Sequence, residues 1–260
     1  MAEAVRLEMD GALARITLVN GAKGNPLGLE FGRELRAIAI DLEGMSDLRA
    51  VLWTAEGKNF SVGGNLGAFS DVDDLAAYVR ESTADYHSAL SRLMRLRAPM
   101  VSAVQGACAG AGVALAALSD IVIASTDSSF TIAYTAIGFS PDGASTYVLP
   151  RLIGLRRFQE LVLTNRRVLA EEALAIGLVT QLEEPSRLLE RAEVVAAQLA
   201  EGPTGAYGAT KQLLLQTFGS DLESQLEMES RLLSEQCGGM DVRKGIAAAI
   251  GKRRADFGGC

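Results

Sequence analysis

Val104-Gln105-Gly106-Ala107-Cys108-Ala109-Gly110-Ala111-Gly112 follows a short apolar run at residues 100–104 and opens a longer one that ends near Leu118. Its glycines stand between a predicted buried strand and a predicted buried helix, and two readings of them compete. Small residues let a tight strand–helix turn pack closely. The same turn exposes backbone N–H groups at a helix N-terminus, where the macrodipole favours negative charge. The G-x-G-x-x-G order of a dinucleotide loop is absent, and so is the G-x-x-x-x-G-K-S/T of a phosphate loop. A second loop, Lys58-Asn59-Phe60-Ser61-Val62-Gly63-Gly64-Asn65-Leu66, follows the apolar run at residues 50–54. Its paired glycines permit close backbone approach to a ligand. Each loop alone is ordinary; two in one chain, each after a strand, give the ligand-site reading weight beside that of close packing.

Working outward, residues 5–9 and 12–18 read as a hairpin around Asp10-Gly11. Residues 28–43 carry Leu29, Phe31, Leu35, Ile38 and Leu42 at helical spacing. A longer helical stretch covers 72–97, with Leu75, Tyr78, Tyr86, Leu90, Leu93 and Leu96. Strands are predicted at 100–104, 121–124 and 129–133, with a loop and buried helix between Gly106 and Leu118. From about 144 the chain reads as helical, interrupted at 179–182. Helices are predicted at 155–164, 170–176, 186–200, 206–217 and 221–236. Alternating strands and helices indicate an α/β core, and the late helices an appended helical region. The division falls at 1–200 and 201–260.

The chain has 260 residues, 48% hydrophobic and 22% charged, with net charge −7. That size buries a core without a disulfide or metal staple. Cys108, Cys237 and Cys260 are odd in number and far apart, which fits a reducing cytoplasm. The acidic balance disfavours nucleic-acid binding, which rests on many phosphate contacts. The start lacks a basic region followed by an apolar core, so no signal peptide is read. The apolar stretch at 107–118 is short of the ~20 residues a membrane span needs.

The sole histidine, His87, sits mid-helix. With no second histidine and no clustered thiols, metal binding has little support, and the local reading of His87 is structural or solvated. Pro141-Asp142-Gly143 is a strong turn sequence. Phe139 and Tyr134 could instead form an apolar wall beside Asp142, favouring its protonated form and suiting it to proton transfer.

Taken in order, these segments resemble the crotonase superfamily, the enoyl-CoA hydratase/isomerase family. The matching pieces are the loop from Asn59 to Leu66, Pro99 with the stretch from Val104 to Gly112, and Ser119-Asp120-Ile121-Val122-Ile123-Ala124. They continue with Gly138-Phe139-Ser140-Pro141-Asp142-Gly143, Ala170-Glu171-Glu172-Ala173-Leu174-Ala175-Ile176-Gly177-Leu178-Val179, and Lys252-Arg253-Arg254-Ala255-Asp256-Phe257. The resemblance runs from about residue 10 to Phe257. It implies an α/β spiral of ββα units with a C-terminal helical trimerisation region. It also implies an acyl-CoA thioester substrate, with CoA as part of the substrate and no further cofactor, and a homotrimer or dimer of trimers. By position, the N–H groups of Gly64 and Ala111 would form an oxyanion hole. Ser61, Val62, Gly63, Asn65 and Leu66 would lie along the CoA, Tyr134 would face the acyl group, and Lys252 would contact a phosphate.

Departures from the family pattern narrow the reaction. The two glutamates with which hydratases of the family handle water fall at Ala114 and Tyr134, and neither side chain is a carboxylate. Asp142 falls where some enoyl-CoA isomerases of the family carry their acid. The resemblance therefore implies an isomerase that converts 3-enoyl-CoA to 2-enoyl-CoA. A 4-chlorobenzoyl-CoA dehalogenase-like reaction is the nearest alternative. It would use Asp142 as nucleophile and His87 as its histidine, but has Tyr134 where that enzyme carries tryptophan. A silent acyl-CoA-binding paralogue is a further alternative.

Overall fold

The computed structural model describes residues 3–259, so Cys260 lies outside the described residues. The predicted hairpin is present as β1 (Val5–Asp10) and β2 (Leu13–Leu18). After α1 (Leu29–Gly44) comes β3 (Ala50–Ala55), then the short α2 (Leu66–Ser70) and the long α3 (Leu75–Arg95). Next are β4 (Met100–Val104), β5 (Ala107–Ala109), α4 (Ala111–Ala117), β6 (Ile121–Ser125) and β7 (Ser129–Thr131). Then follow α5 (Ser145–Ile153), α6 (Leu155–Thr164), β8 (Val168–Leu169), α7 (Ala170–Ala175) and β9 (Gln181–Glu183). The chain closes with α8 (Leu188–Ala200), α9 (Thr204–Gln216), α10 (Leu222–Cys237) and α11 (Met240–Ile250).

Six strands form one sheet in the order β1-β2-β3-β4-β6-β9, parallel except for the β1–β2 hairpin. Every residue of β4 is buried, as expected of a parallel strand covered on both faces. Alternation along β3 divides the core. Val51 and Trp53 face the side where Phe31 and Leu35 of α1 and Leu90 and Leu93 of α3 pack. Leu52 faces the other side, against Leu188, Ala192, Val195 and Ala196 of α8.

A second, smaller sheet (β5-β7-β8) gives the fold its spiral. Single-residue bridges extend it, with Leu27 beside Gly64 and Ser61 beside Cys108. Each early turn of the chain thus passes through the large sheet, touches the small one, and returns along a helix. β2, Leu27 and α1 make one turn, β3, the Ser61–Gly64 segment and α2–α3 the next, and β4, β5 and α4 the third. This is the ββα spiral that the resemblance implies.

Several local expectations need correction. The buried helix expected across residues 107–118 occupies only Ala111–Ala117. Residues Ala107–Ala109 form β5 instead, because Gly106 and Gly110 both adopt positive φ and bracket three extended residues. The strand expected at 179–182 lies at Gln181–Glu183. β8 and α2 were not expected, and the general helical reading after 144 leaves α5 and α11 unspecified.

Candidate active site

Close packing of the two glycine-bearing loops creates the site. A Cβ on Gly106 would lie 2.1 Å from the Lys58 carbonyl oxygen, and one on Gly112 would lie 2.8 Å from the Ser61 Cβ. The close-packing reading of these glycines therefore holds, and it brings the backbones together. Phe60 N–H donates to the Gln105 carbonyl at 2.8 Å, and Ala109 N–H to the Ser61 carbonyl at 2.9 Å. On the other side of the loop, Leu27 N–H donates to the Gly63 carbonyl at 2.8 Å, and Asn65 N–H to the Leu27 carbonyl at 3.0 Å. This parallel bridge uses the groups on either side of Gly64 and skips its N–H. Ala111 is the first residue of α4, so its N–H has no partner within the helix. Among the described residues neither the Gly64 nor the Ala111 N–H donates to a protein acceptor. Both residues line one cavity of about 730 Å³.

The predicted site residues separate into those that line this cavity and those that support it. Val62, Gly64, Leu66, Ala111, Tyr134 and Asp142 line it. Ser61 is fully buried behind it; its hydroxyl donates to the Asn25 carbonyl at 2.8 Å and accepts from Gly63 N–H at 3.2 Å. Asn65 caps α2, its Oδ1 accepting from Ala68 N–H at 3.2 Å. Gly63 holds φ +88 against the Ala109 carbonyl. Lys252 is exposed beyond α11 and does not line the cavity of its own chain. Ala114 is buried inside α4.

Asp142 is the only carboxylate on the cavity wall among the described residues. The Tyr134 hydroxyl donates to the Asp142 carbonyl at 3.4 Å, and the Ser145 hydroxyl donates to the same oxygen. Burial, and then the negative charge of Asp142, hold the Tyr134 phenol well above its usual range, so it remains a neutral donor. The expected aromatic wall is present: Phe139 lines the cavity and stacks 5.6 Å from Phe69, centroid to centroid. Behind the carboxylate stands His87, its Nε2 3.6 Å from Asp142 Oδ2 and accepting from Gly143 N–H at 3.2 Å.

Sequence reasoning missed Tyr86. It reads as one more apolar position of a helix, yet its hydroxyl donates to the Ala111 carbonyl at 3.3 Å and its ring lines the cavity. Burial pushes its phenol far above the ordinary value, with Tyr134 and Asp142 adding to the effect. Its pairing in sequence with His87 was the one available signal. No group of His, Cys, Asp and Glu that could hold a metal ion occurs among the described residues.

Comparisons with known proteins agree with this architecture. A "Probable enoyl-CoA hydratase" of Rhodobacter capsulatus is 33% identical over 256 residues, 98% of each chain. A trans-2-decenoyl-[acyl-carrier-protein] isomerase of Streptococcus mutans is 31% identical over 256 residues, 96% of each. The crystal structure of an enoyl-CoA hydratase/isomerase from Cupriavidus metallidurans superposes with a TM-score of 0.90 at 29% identity, covering 98% of this chain and 96% of that one. The sequence profile of the enoyl-CoA hydratase/isomerase family matches residues 8–259. Two loops stitched across a spiral of ββα turns, and a match that spans nearly the whole chain, make this protein a member of the enoyl-CoA hydratase/isomerase family.

Proposed function

We propose that the protein is an enoyl-CoA isomerase that moves a double bond from C3 to C2 of an acyl-CoA thioester. One observation carries this reading: a single carboxylate, Asp142, shares a cavity with two unengaged backbone donors, Gly64 and Ala111. Asp142 removes a proton from C2, and the thioester oxygen gains negative charge between the two N–H groups. The dienolate is then reprotonated at C4. Fixed donors aimed at developing charge are worth ~2.7–4 kcal/mol each where one has been removed elsewhere. Syn-hydration would need a second carboxylate, and Ala114 and Tyr134 supply none.

Val62 and Leu66, exposed at the mouth, would meet the CoA, with Ser61, Gly63 and Asn65 holding that strip in shape. Lys252 is proposed as a phosphate contact outside the cavity. CoA enters as part of the substrate, and the chemistry asks for no other cofactor. The same reading has the chain assemble as a homotrimer or dimer of trimers.

One observation favours a second reading. His87 stands 3.6 Å from Asp142, a pairing that a 4-chlorobenzoyl-CoA dehalogenase-like displacement would use, with Asp142 as nucleophile. A panel of 3-enoyl, 2-enoyl and 4-halobenzoyl CoA esters separates the two. The wild type should isomerise the 3-enoyl ester. Asp142→Asn should lower that rate by ~10²–10⁴-fold, the usual contribution of a positioned acid–base group, while still binding the ester. Full activity in Asp142→Asn overturns the proposal, and halide release by the wild type replaces it.

A further inference from the structure

Asp142 sits in a turn whose backbone bends through two left-handed residues, Gly143 at φ +60 and Ala144 at φ +63. Glycine adopts such a φ freely, but alanine keeps it only where the surroundings impose it. What holds this turn converges on a single peptide unit, the one between Asp142 and Gly143. Its carbonyl end accepts from the Tyr134 hydroxyl at 3.4 Å, from Ser145 N–H at 3.0 Å and from the Ser145 hydroxyl. Its N–H end donates to Nε2 of His87 at 3.2 Å. Gly143 is buried, so this N–H depends on the imidazole for its partner.

The imidazole reaches the acid by that route alone. Its Nε2 lies 3.6 Å from Asp142 Oδ2, beyond hydrogen-bond distance. The lone pair of Nε2 is taken by Gly143 N–H, which places the ring hydrogen on Nδ1. His87 does not line the cavity that holds Asp142; its half-exposed ring faces a second one, of about 820 Å³, between α3, α5, α9 and α10. One residue earlier, Tyr86 packs on the same glycine, where a Cβ on Gly143 would lie 3.0 Å from its Cε1. α3 thus meets the turn at two points, a ring against the Gly143 backbone and an acceptor on its N–H.

A peptide unit is planar. Holding both of its ends therefore fixes ψ of Asp142, and with it the direction in which the carboxylate leaves the backbone. One carboxylate has to reach C2 and then C4 of the substrate, so an error in that direction impairs both transfers. We propose that His87 is a positioning residue, the acceptor for Gly143 N–H that keeps the Asp142 carboxylate in line with the substrate; this rests on the isomerase reading above. It exchanges no proton with Asp142 and does not touch the substrate. Without the acceptor, the buried N–H is left unpaired, which is costly. The 142–143 peptide then rotates towards another partner and carries the carboxylate with it.

Two substitutions separate this role from others. His87→Gln puts an amide oxygen near the place of Nε2, an acceptor that does not relay protons, and His87→Leu fills the space with no acceptor. Full-length proteins are compared by steady-state turnover of 3-enoyl-CoA, per chain shown to be folded by circular dichroism. The leucine variant should lose ~10²-fold in kcat with KM near wild type, the loss that misplacing a reacting group by about 1 Å can cause. The glutamine variant should recover most of that loss. His87→Phe replaces the leucine variant if that chain is unfolded. A role in the fold alone would lower the urea midpoint and leave kcat per folded chain unchanged, and this result overturns the proposal. A glutamine variant as slow as the leucine variant overturns it too, since the imidazole would then be needed for more than its lone pair. Absence of Asp142-dependent isomerisation in the wild type overturns the isomerase reading and the positioning role with it, whereas failure of the positioning role alone leaves that turnover intact.

Discussion

Position 111 opens α4 and lines the cavity with its N–H outside the helix's own bonding, and proline is the one natural residue that deletes this group. Proline is well tolerated at the first position of a helix, where its missing N–H breaks no intrahelical bond. Ala111→Pro should therefore keep the far-ultraviolet spectrum and lower isomerisation by ~10²–10³-fold, the loss seen when one such donor is removed elsewhere. Undiminished turnover in a folded Ala111→Pro protein would exclude the N–H from the chemistry. Gly64, Ala111 and Asp142 were named through the family resemblance that their segments carry, since on local signals alone the two loops and the Pro-Asp-Gly turn read as ordinary turns. His87 was named only through the resemblance, as the histidine of the dehalogenase-like alternative, while its local reading was structural or solvated; Tyr86 was not singled out. Helical periodicity tells which face a residue occupies, and nothing in it reveals that this turn of α3 lies beside residues 111 and 142.

The elements around the site are held by backbone, which explains both what the sequence revealed and what it hid. Long apolar runs identified β3 and β4, and the alternating contacts of α1 and α3 followed from their spacing. β5 escaped because three small residues between glycines carry no strand signal; its pairing with β7 and with Ser61 creates it. α11 escaped because Gly245 interrupts its helical pattern. The distance between the two loops is set where Gly63 meets the Ala109 carbonyl, with a positive φ and room for no Cβ, the added atom falling 2.7 Å from that oxygen. Gly63→Ala should cost about 1–3 kcal/mol, the usual range for a side chain forced into such a backbone region. Urea unfolding measures it, and a midpoint equal to wild type would refute the close approach. Turnover should fall as well, although residue 63 does not line the cavity.

For the whole molecule, the proposed assembly has exposed apolar surface to cover. Leu222, Leu226 and Leu233 fall on one face of α10 at spacings of four and seven residues and are all more than half exposed, as are Ile246 and Ile250 of α11. A stripe of that kind on a helix is ordinarily covered. Sedimentation equilibrium should give three or six chains per particle, and Leu226→Glu with Leu233→Glu should shift the distribution towards monomer. A wild-type monomer at micromolar concentration would end the proposal of assembly. The small sheet has a consequence of another kind. It fixes Gly64 and Ala111 through main-chain pairing, and a main-chain N–H survives every codon change except one to proline. The acid at 142 and the residues at 114 and 134 have no such protection. Under mutation, a lineage built on this scaffold keeps these two backbone donors by default and changes only the side chains around them.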